Sequence, residues 1–95
     1  MRVGILKAEL HVLDAQNLKQ KRHIVRGLKD RLVSRFDCAA SEVDHQDLWQ
    51  RTALGIAIVS LEAKDADRKL RNIEEYIRAT GGVIPIDFER EIVHF

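Results

Sequence analysis

The chain has 95 residues, 45% hydrophobic and 33% charged, with a formal net charge of +1 at pH 7. That length supports one core, burying roughly 60–70% of the surface an unfolded chain exposes, so residues 1–95 are read as one domain. No apolar run approaches the ~20 residues of a membrane span and no secretory leader pattern is visible; the single cysteine, Cys38, cannot form an internal disulfide and fits a reducing, cytoplasmic setting.

Residues 2–13, RVGILKAELHVL, alternate, with Leu6, Ala8, Leu10 and Val12 on one side and Ile5, Lys7, Glu9 and His11 on the other. This is the pattern of a strand with one buried face. Residues 17–36 have helical spacing, and Leu18, Ile24, Val25, Leu28, Leu32 and Phe36 form the apolar stripe. Asn17 is a good N-cap, and Gln20 three positions later completes a capping-box pattern.

Residues 37–44 read as a short, weak strand, and residues 45–50, HQDLWQ, as a connection. The most apolar segment, 51–62, predicts a central strand with Leu54, Ile56 and Ile58 on one face and Ala53, Gly55, Ala57 and Val59 on the other. A second helix follows, capped by Asp65, buried through Ala66, Leu70, Ile73 and Ile77, and stopped by Gly81-Gly82. A last strand runs from about 83 to 95, where Pro85 places it at a sheet edge.

The order βαββαβ with right-handed crossovers predicts an α+β, ferredoxin-like sandwich: a four-stranded antiparallel or mixed sheet with both helices on one face. The first and third strands are expected side by side in the middle, and parallel.

Charge is unevenly placed. From Asn17 to Phe36 there are seven Lys/Arg against one acid, Asp30, a net of +6 that leaves −5 for the rest of the chain. At about 100° per residue, Lys19, Arg22, Arg26 and Lys29 gather on one flank of the apolar stripe, with Arg31 and Arg35 on the other. Lys21 falls near the middle of the stripe and must snorkel past the helix end or reach a partner. Each cation in a first helical turn forfeits about 0.3–1 kcal/mol against the helix dipole. One reading is a solvated face neutralised by acids elsewhere in the fold. The other is an anion-binding surface of Lys19, Lys21, Arg22, Arg26 and Lys29, best suited to RNA phosphate.

The open sheet face offers no aromatic residue for base stacking, so an RRM-like mode is not expected. It does leave Ile5, Ala53, Gly55, Ala57 and Val59 uncovered, a surface suited to a homodimer. His45, Asp47, Trp49, Gln50 and Arg51 form a third candidate, an interaction patch, although Trp49 is expected to anchor the connection to the core. His45 and Asp47 alone are too few ligands for a metal centre. Cys38 reads as a small buried hydrophobe with no base in view. Acylphosphatases share the element order, but LDAQN ahead of the first helix lacks the glycine of their phosphate loop. Neither a catalytic constellation nor a cofactor or small-molecule substrate is indicated; a small enzyme with a pocket near the connection after Asp44 is the remotest of the three readings.

Two stretches carry a resemblance: LDAQNLKQKRHIVRGLKDRL and SEVDHQDLWQRTALGIAIVS. They closely resemble the YlxP-like family, a bacterial domain of unknown function, through an SLKEKR-type helix start at Asn17 to Arg22 and an EVxxQDLWQR-type segment at Glu42 to Arg51. The resemblance covers about Val3 to Ile77. It implies a small ferredoxin-like domain, and the frequent placing of such genes among translation and ribosome-maturation genes implies RNA or ribosome as partner. It carries over no catalytic residue. The chain departs from the pattern where Gln20 replaces the usual Glu and Asn17 the usual Ser, so its first helical turn is more positive.

Overall fold

The computed structural model describes all residues, 1–95. Its elements are β1 (Arg2–Val12), α1 (Leu18–Phe36), β2 (Ala39–Asp44), β3 (Arg51–Ser60), α2 (Ala63–Ala79) and β4 (Val83–His94). They build a four-stranded sheet in the order β2-β3-β1-β4, with both helices on one face: the ferredoxin-like α+β arrangement.

The faces divide by residue parity, as alternation requires. Leu6, Ala8 and Leu10 of β1 and Leu54, Ile56 and Ile58 of β3 point at the helices. There they meet Val25, Leu28 and Leu32 of α1 and Ala66, Leu70, Ile73 and Ile77 of α2 in one core cluster. Fully burying a Leu or Ile side chain is worth about 1.5–3 kcal/mol, so this layer holds the fold. Gly4 belongs to it: a Cβ there would stand 2.8 Å from Ile58 Cγ1 and 3.0 Å from a methyl of Leu70, so α2 lies close against bare backbone.

Two expectations are corrected. β1 and β3 are central neighbours, but antiparallel, as are all three strand pairings. The right-handed crossover through α1 makes β1 and β2 parallel with a gap between them; β2 then turns straight back into β3, which fills the gap and runs against both. Asp65 does not cap α2. The helix begins earlier, after an extended Glu62 that makes no side-chain capping bond, and Asp65 lies within the first turn.

β4 takes the edge, with a shift of register opposite Glu9 and Leu10 where Pro85 interrupts the ladder. Proline and an irregularity are common guards of an exposed edge. α2 ends at Ala79 ahead of Gly81 and Gly82, and Gly82 adopts φ +91°, a conformation that suits glycine. No helix is long and apolar enough to cross a membrane.

Candidate functional site

The start of α1 is built as its sequence pattern indicates. Asn17 is extended, and its Oδ1 accepts from the Gln20 amide at 2.9 Å. Gln20 Oε1 in turn accepts from the Gln16 amide at 2.8 Å, one residue ahead of the cap. No acid stands in this first turn.

Lys21 answers the question its position poses. It is 0% exposed and turns inward under the chain that follows β2. Its Nζ lies 2.5 Å from Glu42 Oε2, donates to the His45 carbonyl at 2.9 Å and reaches the Gln46 carbonyl at 3.5 Å. Three ammonium protons thus have three acceptors. Glu42 also accepts from Thr52 Oγ1 at 2.6 Å. Glu42 therefore supplies from β2 the negative charge that the first turn of α1 lacks. Lys21 is a structural cation, and the proposed anion surface has to be drawn without it.

His45 is shaped by the same contact. Its backbone is left-handed, φ 64°, with its amide held by Asp44 Oδ1 at 2.7 Å while its carbonyl faces Lys21. The imidazole Nε2 lies 3.0 Å from Glu9 Oε2, on the other side of the sheet from the helices. Glu9 also receives Arg51 at 3.1 Å and has Lys7 at 3.7 Å. Burial pushes the Glu9 carboxyl up, but the hydrogen bonds from Arg51 and His45, with the charges of His45 and Lys7, outweigh it and leave it below its ordinary value.

The patch expected at His45, Asp47, Trp49, Gln50 and Arg51 is divided by this geometry. His45 and Arg51 turn to Glu9, whereas Asp47, Trp49 and Gln50 are exposed. Trp49, 40% exposed, does not anchor the connection in the core. The anchors are polar: Lys21 on the His45 and Gln46 carbonyls, and His45 on Glu9. Strand parity puts Glu9 and Arg51 on the open face, but nothing in the sequence links either to His45.

The remaining cations of α1 divide by flank. Arg35 sits over the Tyr76 ring, 5.0 Å from its centroid, and Arg31 packs beside Gly27. Lys19, Arg22 and Arg26 are exposed and Lys29 is half-buried, and none has a carboxylate within ion-pair distance. Arg22, Arg26 and Lys29 line a shallow depression with Val25 and Glu42. The one acid at its rim, Glu42, is already held by Lys21 and Thr52. Spacing of three, four and three residues spreads these four cations along about 15 Å of helix axis.

On the open sheet face Ile5, Ala57 and Val59 are exposed and Gly55 is half-buried. Ala53, flanked in register by Glu9 and Asp44, is instead closed off at 0% exposure. Cys38 is half-buried with its Sγ 3.4 Å from the Leu32 carbonyl; burial, and then the charge of Asp37, push its thiol up, the opposite of nucleophile activation.

Comparison with known proteins identifies a family but no activity. A family model described as "Protein of unknown function (DUF503)" matches residues 3–90. The Uncharacterized protein YlxP of Bacillus subtilis (strain 168) is 33% identical over 75 residues, covering 79% of this chain and 82% of that protein. The two stretches that carry the resemblance meet in space, one through Lys21 and the other through Glu42.

Proposed function

The chain belongs to the DUF503 family, and on that premise we propose that it is a non-enzymatic, RNA-associated domain that grips phosphates with Lys19, Arg22, Arg26 and Lys29. One observation carries the reading: this flank of α1 has no carboxylate partner within the fold, although 15 acids are present in the chain. A solvated face would tolerate such charge, but a polyanion turns four separate self-repelling cations into four favourable contacts and releases counterions from its own backbone. Arginine's planar fork also matches phosphate geometry. With no aromatic on the middle strands of the open face, contact is with the backbone rather than with bases, and sequence preference is low.

The test is binding of a short fluorescent poly(U) strand across a salt series. Four phosphate contacts give a slope of log K against log salt of about −3, hence a roughly 50- to 65-fold loss between about 50 and 200 mM. Arg22→Gln with Arg26→Gln brings the slope about 1.5 closer to zero. Arg68→Gln with Arg71→Gln, on α2, leaves it unchanged. No binding at low salt, or binding indifferent to salt, overturns the reading.

A further inference from the structure

The uncovered sheet face has a structure of its own. Val3, Ile5, Val59 and Val93 lie at one end of it, with Ile5 42% and Val59 63% exposed, whereas Lys7 and Glu9 lie at the other. β3 presents small residues, Gly55 and Ala57, beside the larger side chains of β1. A Cβ at Gly55 would stand 2.8 Å from Val43 Cγ1, so the glycine admits Val43 from the edge strand and the face stays shallow there. β4 borders it with Asp87, Glu89 and Glu91, all exposed and without ion-pair partners.

We infer that a second copy of this chain covers this face, about a two-fold axis that runs along the strands between β1 and β3. The register decides both occupant and axis. Ile5 stands level with Ala57, and Lys7 with Gly55. Turning a second copy about that axis lays its β3 over β1, so each Ile5 meets an Ala57 and each Lys7 a Gly55. At the level of Ile5 a large side chain then faces a small one in both directions, as close packing needs, while Val3 meets Val59 and Lys7 lies over the Gly55 that Val43 already fills. Such a contact is self-complementary, as an isologous interface must be.

The acids give the same answer. Glu91 is level with Ile5, Ala57 and Ala39, and Glu89 with Lys7, Gly55 and Ser41. The axis along the strands therefore places Glu91 and Glu89 over the uncharged Ala39 and Ser41 of β2, with Asp87 at the far end level with Asp44. An axis across the strands at the level of Ile5 would set Glu91 against Glu91 and Ile5 against Ile5. Charge and size both reject that alternative.

The dimer is weak by its dimensions. Four strands about 4.8 Å apart and about ten residues long at 3.4 Å each span roughly 650 Å² per copy, against about 800 Å² per partner in a standard interface. Both α1 helices stay on the outer faces, so association does not compete with the basic flank.

Concentration-dependent light scattering and sedimentation test the inference. The unaltered chain gives a reversible monomer–dimer equilibrium in the micromolar range or above. Ala57→Glu, at a position exposed in the protomer, weakens it at least about tenfold with an unchanged Tm at high dilution, and Ile5→Lys does the same. Mixing Ala57→Glu with Ile5→Lys restores a mixed dimer, because each new charge lies over the other. A monomer at the highest soluble concentration overturns the inference. A dimer indifferent to Ala57→Glu, or two variants that fail to rescue each other, overturns it as well.

Discussion

On α2, four of five cations rest on a carboxylate; on α1, one of seven does. The two helices share a layer and a sheet, so the contrast comes from neither exposure nor fold. α2 carries its own acids: Asp65 holds Arg68 and Lys69, Asp67 holds Arg71, and Glu74 holds Arg78 and, from β4, Arg90. These are three- and four-residue spacings, which neutralise a helix face locally and add a few tenths of a kcal/mol each. α1 has Asp30 alone, unpaired, and its single ion pair is a buried one to another element. A helix that stabilises itself and a helix left to meet something else can thus be told apart by where their acids sit.

The sharpest way to break this comparison is to remove the acid of α1's one pair. Glu42→Ala strands a fully buried ammonium, and losing one partner of a buried pair costs about 3–5 kcal/mol. For a domain of this size that lowers Tm by more than about 10 °C. Lys21→Met removes the charge and keeps most of the volume, so the double variant Lys21→Met/Glu42→Ala loses much less than Glu42→Ala alone. On α2 the matching change, Asp67→Ala, removes an exposed partner of Arg71 and Arg90 and costs about 1 kcal/mol or less. Thermal melts of the four proteins decide it: a Glu42→Ala loss no larger than that of Asp67→Ala would mean that the buried pair is not what fixes α1.

A smaller change moves α1 toward α2. Gln20→Glu places an acid in the first turn without disturbing the bond to the Gln16 amide. The carboxylate meets the helix dipole favourably, worth about 0.3–1 kcal/mol, and Tm rises by roughly 1–8 °C. The same energy works against a bound phosphate, so poly(U) affinity falls about two- to fivefold. Gain in stability with loss of binding is the expected joint outcome; a variant that gains in both would show that the start of α1 never approaches the polyanion.

Much of this was legible locally. The face assignments of β1 and β3, the Asn17–Gln20 cap, the edge position of Pro85 and the place of Lys21 within the apolar stripe follow from periodicity and from hydrogen bonds within one turn. What Lys21 meets was not legible, because Glu42 is 21 residues away and becomes a neighbour only when β2 is laid under α1. The same holds for His45 and Glu9, joined across 36 residues. Trp49 departs from expectation because a large apolar side chain in a connection usually seeks the core, whereas here polar bonds to Lys21 and Glu9 already hold the turn. The sense of β1 against β3 differs from expectation because the crossover links β1 to β2 and not to its neighbour in the sheet.

The finest test concerns the acid that α2 has and α1 lacks. The Ser60 hydroxyl donates to Asp65 at 2.6 Å, and this bond, with the Arg68 guanidinium and then Lys69, outweighs the opposing effect of burial and brings the carboxyl from 3.8 to about 2. A lowered acid binds its proton less readily folded than unfolded. Its contribution to stability is therefore whole above about pH 4 and fades as pH falls from 3.8 toward 2. Asp65→Asn keeps the shape and removes the charge, so its Tm deficit against the unaltered chain is present at neutral pH and shrinks toward zero near the lower limit. Ser60→Ala raises the Asp65 pKa, read by NMR titration of the carboxyl carbon. A deficit that persists undiminished in acid would assign the start of α2 to hydrogen-bond geometry instead of charge, and the electrostatic contrast between the two helices would then rest on their later turns alone.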